Sequence, residues 1–162
     1  LRKISPDLLK KGMLSYEPLH FRQEILKGYA VTVVNDSKST SPDSTLKALE
    51  SFPGPSILIL GGRNKGSSFD EFIRTAGKEI KIIAYGESRD FFEQKFQDKF
   101  LFKKTVTLEE AVKEASLWIE KEKNLIFSPA CESFDQFKGY KDRGEHFNQY
   151  VQKYIKQEGG KK

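Results

Sequence analysis

The sequence has 162 residues, one Cys, and 28 Lys and Arg against 23 Asp and Glu, a formal charge of +5. That length fits one globular domain, its 13 Phe argue against disorder, and a single Cys excludes a disulfide framework or a multi-cysteine zinc site. No apolar run approaches the ~20 residues of a membrane-spanning helix and no basic, apolar leader opens the chain, so a soluble, cytoplasmic domain is expected.

The positive charge admits an anionic partner. Its Lys residues are interleaved with acids, however, as in Lys113-Glu114 and Glu120-Lys121-Glu122-Lys123, which is the pattern of a solvated helix face. With no clustered basic stripe, neither nucleic acid nor a membrane surface is expected as partner. Small anions remain.

Along the chain, residues 1–19 fit no regular alternation. Asp7–Met13 reads as a helix or a connector, and a first residue of Leu suggests a connector from an upstream domain. Arg22–Leu26, Lys27-Gly28 and Tyr29–Asn35 read as a hairpin with Lys-Gly as its turn. Ser41-Pro42-Asp43 starts a helix, with Ser41 as N-cap and Pro42 at the first helical position, and Pro53-Gly54-Pro55 stops it after Phe52. Ser56–Leu60 is a continuous apolar run, as in a strand covered on both faces. Then follow helix Ser68–Gly77, strand Ile80–Tyr85, helix Ser88–Gln97 and a short strand at Phe100–Phe102. Helix Leu108–Lys121, capped by Thr107, strand Asn124–Phe127 and helix Arg143–Lys156 complete the pattern, with residues 158–162 as a disordered tail. The alternation predicts an α/β domain with an open, largely parallel sheet and helices on both faces.

Ligands of such a sheet bind beyond the carboxyl ends of the strands. Three polar loops fall at that edge: Asn35–Ser41, Gly61–Ser68 and Ser128–Phe137. Loops at the opposite edge are short turns. In the second loop, Gly61, Gly62 and Gly66 would let backbone approach an anion, with Lys65 as a point charge. No G-K-[ST] follows, so it is not a Walker A loop. Ser128 and Ser133 would stand at the entry to a helix, whose free N–H groups suit a carboxylate. Asp36 and Lys38 could instead form a solvent-exposed pair, and Ser41 could serve only as a cap. No G-x-S-x-G pentad exists, His20 and His146 lie outside the three loops, and no spacing supports a metal site. Cys131 reads as a small buried filler, and Phe91, Phe92, Phe96 and Phe100 as core.

The segments Asn35-Asp36-Ser37-Lys38-Ser39-Thr40, Gly61-Gly62-Arg63-Asn64-Lys65-Gly66 and Ser128-Pro129-Ala130-Cys131-Glu132-Ser133-Phe134-Asp135-Gln136-Phe137 resemble, in that order, motifs of the C-terminal domain of the bacterial Mur ligases. Among these, the D-glutamate-adding members are most similar. Thr45–Leu49, Phe137-Lys138, Arg143-Gly144-Glu145 and Phe147 also fit, so the match runs from about His20 to Phe147.

This resemblance implies a Rossmann-like C-terminal domain over residues 20–157 of an ATP-dependent ligase of peptidoglycan synthesis. The implied substrates are D-glutamate, ATP and UDP-N-acetylmuramoyl-L-alanine, with Mg2+ serving the full-length enzyme and no cofactor bound by this domain alone. By motif, Thr40, Lys65, Ser133 and Phe134 would bind D-glutamate, and Tyr140 stands where an aromatic is frequent. Lys38 would take the catalytic role of positioning the anionic substrates, and Asp36 and Arg22 would serve the nucleotide. Two departures stand out: His20-Phe21-Arg22 replaces an adjacent His-Arg, and Ser41 replaces an Asn. The N-terminal and central domains that would carry the P-loop are not in these residues, so the isolated domain is expected to be inactive. Two other readings remain open: another amino-acid ligase of the same superfamily, or a non-catalytic domain that binds a nucleotide or a protein partner.

Overall fold

Every residue of Ser56–Gly61 (β3) and of Asn124–Ala130 (β6) is buried, because these strands lie at the centre of a six-stranded sheet. The computed structural model describes residues 4–15, 19–119 and 122–157. The remaining strands are Glu24–Leu26 (β1), Thr32–Asn35 (β2), Ile80–Tyr85 (β4) and Leu101–Lys104 (β5), and the order is β1-β2-β6-β3-β4-β5. All neighbours are parallel except β1, which runs antiparallel to β2 at the edge. The helices are Pro6–Leu14 (α1), Pro42–Ser51 (α2), Asp70–Thr75 (α3), Arg89–Phe96 (α4), Leu108–Trp118 (α5) and Tyr140–Tyr154 (α6).

Successive strand residues face opposite sides, and both sides are apolar. Val34, Leu58, Leu60, Ile82 and Ile126 pack with Ala48, Phe72, Phe92 and Phe96 of α2, α3 and α4. Val33, Ile57, Ile59, Ile83, Leu125 and Phe127 pack with Ala111, Val112, Phe147 and Val151 of α5 and α6. The chain moves one way across the sheet from β2 through β5, then returns to place β6 between β2 and β3. With crossovers of one hand, the reversal sends the later helices to the opposite face. In the run 91–100, Phe92 and Phe96 are core and Phe91 and Phe100 pack against it half-buried, with the Phe69 and Phe92 rings edge-on at 4.9 Å.

Local signals act as read in two helices. Ser41 and Ser44 form a capping box at α2, and Thr107 and Glu110 form one at α5. Other expectations are corrected. The hairpin has no tight Lys-Gly turn: β1 and β2 are shorter, and five residues, 27–31, join them, with Tyr29 bridged to Gln157. The helix expected over Ser68–Gly77 is only α3, which starts behind Phe69 without a side-chain cap. β5 lies at 101–104, where Lys103 and Lys104 guard a sheet edge.

The strand expected to end at Phe127 continues to Ala130. Its register against β3 shifts between Ile59 and Gly61, and this bulge accommodates Pro129, which has no N–H for a regular ladder. No helix starts at Ser133. A single turn there accepts the N–H groups of Gln136 and Phe137 on the Ser133 carbonyl, and α6 begins at Tyr140. The expected tail, 158–162, lies outside the described residues, as do 1–3, 16–18 and the last two residues of the helix expected to reach Lys121. α1 buries none of its side chains and exposes Leu8, Leu9, Met13 and Leu14.

Candidate functional site at the carboxyl edge of the sheet

Because β6 lies between β2 and β3, the loops that follow these three strands are neighbours at the carboxyl edge. The first is built around Asp36, which is buried. One carboxylate oxygen accepts the Gln23 N–H at 3.1 Å and the other accepts the Ser128 hydroxyl at 2.8 Å. Burial pushes the Asp36 carboxyl above its usual range, against the opposing pull of hydrogen bonds from Ser39 and Ser128. The solvent-exposed Asp36–Lys38 pair is therefore absent. Ser128, expected as a loop hydroxyl, is a buried strand residue that links Asp36 to Thr45, 3.0 Å away.

Arg22, Asp36, Lys38 and Thr40 line one polar cleft of about 370 Å³, together with Gln23 and Ser44. Arg22 is flanked by Phe21 and Gln23, both in the left-handed region at φ 61° and 48°. Such backbone is costly for bulky residues and persists only where neighbours enforce it. Here the Phe21 carbonyl accepts the Lys38 N–H at 2.9 Å, the Glu24 carboxylate accepts the Phe21 N–H at 2.9 Å, and Gln23 is held by Asp36. Lys38 Nζ sits 4.3 Å from the centre of the Tyr140 ring and donates to its hydroxyl at 3.3 Å. The ammonium thus meets both the ring face and the phenol.

Lys65, Ser133 and Phe134 form a second group on the loops after β3 and β6. Arg63 and Glu132 exchange backbone hydrogen bonds of 2.9 and 3.1 Å, extending the pairing of these strands into their loops. Lys65 Nζ pairs with the Glu132 carboxylate at 2.6 Å. Ser133 is buried, whereas Phe134 is 59% exposed. The double glycine is required by packing. A Cβ on Gly61 would lie 2.1 Å from the Tyr85 carbonyl oxygen, and one on Gly62 2.1 Å from that of Glu132.

Arg143 joins the two groups. It is fully buried, and its guanidinium donates to the Ser37 carbonyl at 2.7 Å, to the Ser37 hydroxyl at 3.1 Å and to the Cys131 carbonyl at 2.9 Å. Asn35 Nδ2 adds bonds to the Gly144 carbonyl and to Asn148. Helical pattern gives no sign of this, since Arg143 stands among charged residues; only the resemblance, through Arg143-Gly144-Glu145, marks the position. Asp135 ties in the loop after β4 by accepting the Glu87 N–H at 3.0 Å. Burial pushes the Cys131 thiol up to about 12, which suits a filler and not a nucleophile. His20 is exposed beside Glu24, and His146 bonds the Asp142 carbonyl within α6. Among the described residues, no group of three or more His, Cys, Asp or Glu comes together to hold a metal.

No family model matches the chain. Over 158 residues it is 34% identical to the UDP-N-acetylmuramoylalanine–D-glutamate ligase of Desulfitobacterium hafniense, a match covering 95% of this chain and 35% of the relative. The protein of the same name from Aquifex aeolicus is 38% identical over 152 residues, 92% of this chain and 37% of that one. The chain is thus similar to Mur ligases over nearly its whole length. It spans about a third of the length of these relatives. Among solved structures, MurF from Acinetobacter baumannii superposes with a TM-score of 0.64 at 14% identity, covering 93% of this chain and 34% of its own. MurF from Thermotoga maritima in complex with ADP gives 0.55 at 16% identity, covering 86% and 32%. These distant structures share the α/β fold of this chain.

Proposed function

We propose that residues 20–157 are the amino-acid-receiving C-terminal domain of a cytoplasmic ligase that joins D-glutamate to UDP-N-acetylmuramoyl-L-alanine at the expense of ATP. The observation that carries this reading is the meeting, at one sheet edge, of three sequence-distant loops bearing Lys38, Thr40, Lys65 and Ser133, with Tyr140 at the start of α6 against Lys38. They do so in a chain a third to two fifths identical to ligases of that name. Residues 1–19 act as the connector to the rest of the protein.

In this reading ATP phosphorylates the carboxylate of the acceptor on the remainder of the enzyme. This domain presents D-glutamate so that its amine attacks the acyl carbon, and the tetrahedral intermediate expels phosphate. Lys65 and the hydroxyls of Ser133 and Thr40 match the two carboxylates of the amino acid. Phe134 and Tyr140 line its path. Lys38, steadied by Tyr140, places positive charge beside the anionic reactants, and Arg22 with Asp36 serves the nucleotide. Mg2+ acts with ATP in the full-length enzyme.

The test is phosphate release by the full-length protein with ATP, UDP-N-acetylmuramoyl-L-alanine and one amino acid at a time. D-glutamate supports turnover, whereas L-glutamate, L-alanine and meso-diaminopimelate do not. The isolated domain releases none. Turnover by the isolated domain, or a preference for another amino acid, overturns the reading.

A further inference from the structure

Lys65 is not free in this structure. Its ammonium is 2.6 Å from the Glu132 carboxylate, and the lysine side chain is 67% exposed against 24% for the glutamate. Glu132 cannot withdraw with its backbone, because its N–H and carbonyl are both bonded to Arg63 and the carbonyl fills the space beside Gly62. Ser133 follows directly, so a ligand carboxylate that reaches both Ser133 and Lys65 comes up against the Glu132 carboxylate.

We propose that Glu132 is an internal competitor of the acidic amino acid: it occupies Lys65 in the empty site and sets a weaker affinity than the site could reach. This rests on Lys65 as a carboxylate-binding residue. An arriving carboxylate must open the Lys65–Glu132 pair and then lie beside a like charge. Exposed pairs of this kind are weak, so the substrate can displace Glu132, and the penalty is about two- to fivefold in affinity.

Steady-state kinetics of the full-length enzyme tests this. Glu132→Gln lowers KM for D-glutamate about two- to fivefold, with kcat and the KM for ATP unchanged. Glu132→Asp, which keeps the charge, stays nearer the wild-type value. Glu93→Gln, which removes a charge on α4, leaves KM alone. Glu132→Ala supplies the same measurement if the Gln variant melts early. An unchanged or raised KM in a well-folded Glu132 variant overturns the proposal, as does an equal drop in Glu93→Gln. Wild-type enzyme that does not use D-glutamate overturns the parent reading instead, so the two failures are distinct.

Discussion

Arg143 holds Ser37 from two sides, donating to its carbonyl at 2.7 Å and to its hydroxyl at 3.1 Å. A third bond, to the Cys131 carbonyl, makes this side chain the joint between the loop that carries Lys38 and the loop that carries Ser133. Replacing it strands buried acceptors, each at a cost of ~1–3 kcal/mol. Arg143→Met therefore lowers stability by roughly 3 kcal/mol or more, about 6–12 °C in melting temperature. Differential scanning calorimetry decides, and a shift under 2 °C would remove Arg143 from this role.

Asp36 carries the opposite balance. Its folded carboxyl is raised above the ordinary value by burial, so the folded state binds this proton more tightly than the unfolded chain. Ionisation at neutral pH then costs stability, and the cost fades as pH falls through the raised value. Asp36→Asn is expected to compare best with wild type at high pH, its melting temperature falling relative to wild type as pH drops through the raised value. The same change lowers turnover of the full-length enzyme by removing charge from the cleft. A melting difference from wild type that does not change with pH would contradict the account.

Gly144 lies inside α6, where helix propensity alone favours Ala by ~1 kcal/mol. A Cβ there would stand 2.4 Å from a Phe21 ring carbon, and Phe21 is held by its bonds to Lys38 and Glu24. Gly144→Ala is expected to destabilise by ~1–3 kcal/mol despite the helical gain. By moving the turn before Arg22 it also raises the KM for ATP more than that for D-glutamate. Melting curves and kinetics on one preparation check both, and a stabilised variant would show that Phe21 yields freely.

Lys65→Ala and Ser133→Ala in the full-length protein are expected to raise the KM for D-glutamate with little change for ATP. A charge-assisted hydrogen bond is worth ~1.5–3 kcal/mol, so the Lys65 change amounts to roughly ten- to hundredfold, with Ser133 toward or below the low end. A rise confined to ATP would reassign these loops to the nucleotide.

The sequence by itself determined the α/β alternation, the central buried strands, the helix caps at Ser41 and Thr107, and the collection of polar loops on one sheet edge. All of these follow from periodicity and local chemistry, which act over a few residues. It also carried the family motifs, although not what each side chain touches. Tertiary structure alone decided that Asp36 and Ser128 form a buried pair, that Gly61 and Gly62 make room for neighbouring carbonyls, that Glu132 occupies Lys65, and that Arg143 bolts two loops together. Ser37 and Arg143 are 106 residues apart in the chain. A contact over that span leaves no periodic trace, because it exists only once the reversal that inserts β6 between β2 and β3 has brought their loops side by side.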